Sequence, residues 1–183
     1  MLNITFRRNS VWFQCGALIL LGLVTFWPSV GFDFVNWDDP AYVEHNKLIK
    51  KWSLTNLKGI CSDVVTRNYA PLTIFTFLID HSFWGMDAGG YHATNVLLHV
   101  VNGVLVFLLL SRLTGNSYVA WLSAGLFLIH PVQIESVVWI SSRKGLLASM
   151  FMLWALHADR LRYGACARRD HARFPNGSWR SAD

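Results

Sequence analysis

Residues 11–30, VWFQCGALILLGLVTFWPSV, constrain this chain more than any other stretch, because Gln14 is their only strongly polar residue. A helix needs about 20 apolar residues to cross a bilayer. Where no water can satisfy the backbone, a helix is the only open-ended structure that can span. A cleaved signal sequence would have a shorter apolar region, about 7–15 residues, and a small-residue cleavage site. This run is longer and closes on Phe26-Trp27-Pro28, so it reads as an uncleaved anchor. The composition agrees: 53% of the residues are hydrophobic and 15% charged, against about 25% charged in soluble domains. Nine Trp and twelve Phe suit a chain that anchors helices at membrane interfaces. In such a chain the net charge of +5 marks cytoplasmic ends and anionic headgroups, and no nucleic-acid partner is expected. Cys15, Cys61 and Cys166 are too scattered for a disulfide framework or a zinc site.

Arg7 and Arg8 precede the run, which places residues 1–10 in the cytoplasm by the positive-inside rule. Residues 31–90 then form an outer loop. Within it, Lys47, Lys50, Lys51 and Lys58 alternate with Leu48, Ile49, Trp52, Leu54 and Leu57, a pattern that suits short interfacial helices, with Ser53 or Thr55 as a cap. Residues 71–84, PLTIFTFLIDHSFW, are apolar but interrupted by Asp80 and His81. They are expected along the outer membrane surface or partly re-entrant. Further spans are expected at about 91–112, 118–130 and 140–158. The fold class is therefore all-α: a polytopic membrane helical bundle of about four transmembrane helices, its membrane domain covering 11–158. From 159 to 183 the chain turns basic and loses apolar periodicity, which predicts a disordered tail.

Polar residues inside spans point to candidate sites. His92, Asn95, His99 and Asn102 are spaced by three, four and three, which places them on one helical face. Lipid does not tolerate such a face, so it either binds neighbouring helices by hydrogen bonds or lines a wet cavity. Asp38 and Asp39, in Asn36-Trp37-Asp38-Asp39-Pro40, lie where the first span re-emerges into water. They are either a polar flank or a functional pair. Arg143 and Lys144 fall at the outer side, against the positive-inside trend; they are either an exception to it or an anion site.

Several segments occur together and in order: Phe34-Val35-Asn36-Trp37-Asp38-Asp39-Pro40, Asn68-Tyr69-Ala70-Pro71-Leu72-Thr73, Leu78-Ile79-Asp80 and Phe83-Trp84-Gly85-Met86. Tyr91-His92-Ala93-Thr94-Asn95-Val96-Leu97-Leu98-His99, His130-Pro131-Val132-Gln133-Ile134-Glu135-Ser136-Val137-Val138-Trp139 and Arg143-Lys144 follow. Together they resemble the N-terminal membrane part of the transmembrane and tetratricopeptide-repeat proteins. That group includes bacterial members and eukaryotic O-mannosyltransferases of GT-C type, and the resemblance covers roughly residues 31–158.

The resemblance implies transfer of a sugar from a polyprenyl or dolichyl phosphate to a Ser or Thr hydroxyl of a protein acceptor. The setting would be a bacterial inner membrane, or an endoplasmic reticulum membrane in a eukaryote. Asp38 or Asp39 would be the catalytic acid, Asp38 foremost, since a hydroxyl attacks only once a positioned base takes its proton. Arg143 and Lys144 would bind the donor phosphate as charge builds on it, supported by His130 and Glu135 in the second outer loop. No cofactor or metal site is assigned; a divalent cation on Asp38, Asp39 and Glu135 is the one candidate. The chain departs from bacterial relatives, which often read Glu-Arg-Lys-Asp where it has Ser142-Arg143-Lys144-Gly145. It also lacks the family's repeats of about 34 residues. An incomplete catalytic unit is therefore expected, the alternative being a non-catalytic anchor or scaffold.

Overall fold

The computed structural model describes residues 8–173, with burial resolved for residues 10–159. It is mostly helical, and among the described residues the only β pairing is an isolated bridge between Val65 and Asn68. Helix α1 (Arg8–Phe26) ends in a 3-10 turn (Trp27–Gly31), with Pro28 in its first positions. Pro suits a helix start, because the N–H it lacks has no intrahelical partner there. The next segment holds a π-helical turn (Pro40–Glu44) and a short 3-10 turn (Lys47–Ile49). Helix α2 (Leu54–Ser62) is capped by Ser53, whose Oγ accepts from the Asn56 N–H at 3.0 Å. Helix α3 covers Pro71–Trp84, the stretch expected to lie along the surface.

Helix α4 (Ala88–Thr114) is the central element, packing against α1, α3 and three later helices: α5 (Ser117–Ile129), α6 (Gln133–Val138) and α7 (Arg143–Arg173). Asp87 caps its start by accepting from the Gly89 N–H at 3.0 Å. Gly115 closes its end at φ 65°, the left-handed conformation that glycine adopts without a Cβ clash. α5 stops at His130, which is extended because the following Pro131 disfavours helical geometry there.

Three apolar clusters hold these elements. Leu18, Phe107, Ala120, Ala124 and Leu128 join α1, α4 and α5, while Phe26, Val96, Val100, Val137 and Leu146 join α1, α4, α6 and α7. Tyr42, Ile49, Ile60, Ile74, Phe77 and Tyr91 give the segment between α1 and α4 its own core, packed against the start of α4. That segment is therefore a folded lobe at one end of the bundle.

Two helices among the described residues are long and apolar enough to cross a membrane, Ser10–Gly31 and Ala88–Thr114. α5 is apolar but has 13 residues, about 20 Å at 1.5 Å per residue, short of the ~30 Å hydrocarbon core. The tail departs from expectation. Residues after 158 do not lose structure at once, since α7 continues through Arg173; residues 174–183 lie outside those described. The sequence there is rich in Ala and Arg, both strong helix formers, which sustain a helix without an apolar stripe.

Candidate active site

The end of the bundle at which α1 stops and α4 starts gathers the acidic and cationic residues. Asp39 is fully buried. Its Oδ2 accepts from the Val35 N–H at 2.9 Å, and its Oδ1 accepts from the Ser141 N–H at 3.0 Å and from the Ser141 hydroxyl. It fastens the segment after α1 to the turn before α7. Asp38, one residue earlier, is half-buried, and its carbonyl accepts from Ala41 and Tyr42 at 3.0 Å each. The adjacent acids are thus divided: Asp39 holds the loop, while the Asp38 side chain remains partly open.

Arg143 occupies a place the sequence did not suggest. Its guanidinium, expected to meet a phosphate, is completely buried, with its donors occupied by protein. Nη1 lies 2.6 Å from Asp80 Oδ2, Nε donates to Asn95 Oδ1 at 2.7 Å, and Nη2 donates to the Tyr91 carbonyl at 3.0 Å. Thr76 Oγ1 accepts from Nη1 at 3.4 Å, and the Phe77 ring centroid lies 4.4 Å away. Asp80 also accepts from the Thr94 hydroxyl at 2.9 Å. Burial pushes the Asp80 carboxyl up, opposed by the charge and hydrogen bonding of Arg143 and by the bond from Thr94. A buried charge needs a partner; here an acid and a base within apolar stretches supply each other. Lys144, the next residue, is exposed.

The polar face of α4 meets protein rather than a cavity. Asn95 Nδ2 donates to the carbonyls of Val137, Trp139 and Ile140, at 3.3, 3.3 and 3.5 Å. His99 Nε2 bonds the Leu128 carbonyl at 3.0 Å, and Asn102 Nδ2 donates to the Leu146 carbonyl at 2.9 Å. His92 is fully buried, edge-on to Phe32. Of the four residues read as lining a cavity or bonding neighbouring helices, Asn95, His99 and Asn102 bond carbonyls of the later segments, while both ring nitrogens of His92 are buried without a hydrogen-bond partner; the carbonyls near the ends of α5 and α6 are among those a helix leaves free.

An open pocket of about 330 Å³ lies at this end, lined by Val35, Trp37, Glu135 and Trp139. Trp37 and Glu135 are exposed, and Trp139 Nε1 is buried without a hydrogen-bond partner. His130 is exposed and turned to its own loop, its Nδ1 accepting from the Val132 N–H at 3.2 Å. Asp39 is committed to Val35 and Ser141, and among the described residues no three His, Cys, Asp or Glu side chains group to hold a metal.

Sequence reasoning assigned no role to Asp80, Ser141 or Trp139. Asp80 carried a usable signal, since an acid inside an apolar helix calls for a buried cation. Ser141 and Trp139 carried none, because their importance comes from what they face.

The described residues define a mostly helical protein with two membrane-length helices and an acid-bearing loop beside an aromatic pocket. The chain is 30% identical over 151 residues to a protein O-mannosyl-transferase of Caenorhabditis elegans, covering 76% of this chain and 22% of that protein. It is 27% identical over 143 residues to the protein O-mannosyl-transferase TMTC2 of Homo sapiens, covering 74% of this chain and 17% of the relative. Over 99 residues it is 32% identical to human TMTC1, covering 54% and 11%. The chain is thus a homologue of the TMTC protein O-mannosyl-transferases, the family its motifs resemble. It spans about a fifth of the length of the first two of these relatives. No family profile and no solved structure matches it.

Proposed function

We propose that this chain is the acid-bearing part of a membrane glycosyltransferase of GT-C type, which moves a mannosyl unit from a polyprenyl-phosphate donor to a protein hydroxyl. One observation carries the reading: the pocket takes walls from Val35 and Trp37, just before Asp38–Asp39, and from Glu135 on α6 and Trp139 at its end, segments far apart in sequence. The names of the relatives support the sugar and the acceptor. In this reading α1 and α4 cross the membrane, α5 and the first part of α7 are embedded beside them as shorter helices, the N-terminus is cytoplasmic and the lobe lies outside.

The chemistry follows from the residues left free. Asp38 takes the proton of the acceptor hydroxyl as its oxygen bonds to the anomeric carbon. The bond from that carbon to the phosphate oxygen breaks, and the lipid phosphate leaves with the electron pair. Lys144, exposed near the start of α7, is the cation this reading assigns to offset the charge on the phosphate. Arg143 contributes by position, holding α7 against α3 and α4. Transfer from polyprenyl-phosphate mannose to a Ser/Thr peptide by the full chain in proteoliposomes tests this. Asp38→Asn is expected to lower the rate about 10²–10⁴-fold with helicity unchanged; an unaffected rate removes the proposed base.

The enclosed Arg143 and the committed Asp39 favour a second reading, a non-catalytic anchor for the remainder of a longer protein. It predicts no transfer by this chain and no effect of Asp38→Asn on partner binding.

A further inference from the structure

A patch at the C-terminal end of α3 is exposed, apolar and cationic at once, and no step of the proposed transfer uses it. Trp52, Phe83, Trp84 and Met86 are between 44% and 78% exposed. The fold gathers them from two segments. Trp52 Nε1 donates to Ser82 Oγ on α3 at 2.5 Å, its ring lies edge-on to Phe75 at 5.9 Å, and Lys50 Nζ sits 2.9 Å from Met86 Sδ. Lys51, between these two anchored residues, is exposed. We infer that the patch is a docking surface for anionic phospholipid headgroups, which seats the lobe on the bilayer beside α4. This goes beyond the transferase reading and rests only on α4 crossing a membrane.

Height decides the occupant first. A Cβ at Gly90 would come within 2.2 Å of Trp84 Cγ, and Tyr91 Oη donates to the Gly85 carbonyl at 2.9 Å. The patch therefore lies level with the first turn of α4. With 27 residues, α4 is about 40 Å long at 1.5 Å per residue, close to the roughly 40–45 Å of a bilayer with its headgroup layers. Its first turn thus stands among headgroups, and a surface there meets lipid before protein. The residue types suit that layer. Indoles collect at membrane interfaces because a flat apolar body carries one N–H. A lysine lays its stem along apolar surface and keeps its amine in the polar layer, the relation Lys50 has to Met86. Charge then selects among lipids. Residues 45–54 and 81–87 hold Lys47, Lys50 and Lys51 against a single acid, Asp87, which caps α4. Each lysine at a membrane surface favours anionic lipid by about fivefold. A zwitterionic headgroup offers these amines no net charge, and an acidic protein would have to displace the headgroups to reach them.

Contact quenching in vesicles tests this on the full chain. The native cysteines are replaced by alanine, and Phe83→Cys carries a bimane label; Phe83 is the most exposed residue of the patch, so the label stays out of the core. Phosphatidylcholine vesicles contain either doxyl-labelled phosphatidylglycerol or doxyl-labelled phosphatidylcholine, at equal mole fraction. The glycerol lipid is expected to quench with an apparent affinity about fivefold higher. Lys50→Gln/Lys51→Gln is expected to abolish that preference with helicity unchanged. Arg67→Gln is the control: it is exposed in the turn before α3, whose 14 residues span about 20 Å, and it should leave the preference intact. Quenching by neither lipid would put the patch against water or a protein partner and overturn the proposal. Equal quenching by both lipids would overturn it too, as would a preference that survives the lysine substitutions or falls equally with Arg67→Gln. No glycosyl transfer is read, so the outcome is separate from that of the Asp38→Asn assay.

Discussion

Asp80→Asn probes the arrangement most severely. The asparagine keeps an oxygen for the Thr94 hydroxyl, which Asp80 accepts at 2.9 Å. It removes the negative charge 2.6 Å from Arg143 Nη1, and the new amide N–H groups compete as donors with the guanidinium. The remaining partners of Arg143 are Asn95 Oδ1, the Tyr91 carbonyl, Thr76 Oγ1 and the Phe77 ring, all neutral. A full positive charge is then left in a site with no solvent exposure. Breaking a buried pair in this way costs about 3–5 kcal/mol, or roughly 10²–10⁴-fold in the folding equilibrium at 1.4 kcal/mol per tenfold. SDS-driven unfolding of the detergent-solubilised chain, followed by circular dichroism, gives the stability directly. The double variant Asp80→Asn/Arg143→Met removes both charges. It should return to within about 1–3 kcal/mol of wild type, the deficit being the unpaired Asn95 oxygen. A single variant within about 1 kcal/mol of wild type, or a double variant no more stable than the single, would show that the pair does not hold α7 to α3 and α4.

Two further substitutions test the packing around α4. Asn95→Ala removes the donor shared by three carbonyls and the acceptor of Arg143 Nε. It is expected to destabilise by at least about 2 kcal/mol in the same unfolding assay; a loss below about 0.5 kcal/mol would refute it. Gly103→Ala drives a Cβ into the buried Leu128 side chain, whereas Gly16→Ala meets nothing within 4 Å. The first should cost about 1–3 kcal/mol from overpacking and the second should be neutral or stabilising by up to about 1 kcal/mol. Equal effects would contradict the close approach of α4 and α5.

Much of the fold was legible because it depends on local pattern. The run at 11–30 needs no partner to be read as a helix, and PLTIFTFLIDHSFW became α3 with the boundaries its apolar character sets. Ser53 was one of two cap candidates, and the structure uses it. The four polar residues of α4 were placed on one face, and all four are fully buried. Whether that face would meet water or carbonyls was not legible, since the carbonyls belong to α5, α6 and α7. Arg143 beside Lys144 read as an anion site because adjacent cations usually are exposed. Only the fold shows that one of them turns inward.

The sequence by itself determined the helices, the apolar surface they bury and the nearness of two acids to a span end, since spacing and composition act over a few residues. Tertiary structure decided which charges are spent on holding the bundle and which stay free. Asp39 is taken by Ser141, and Arg143 by Asp80, through contacts between residues distant in the chain. Asp38, Glu135 and Lys144 remain accessible. Burial makes that division: an enclosed charge must be paired, and the pairing depends on which helices touch.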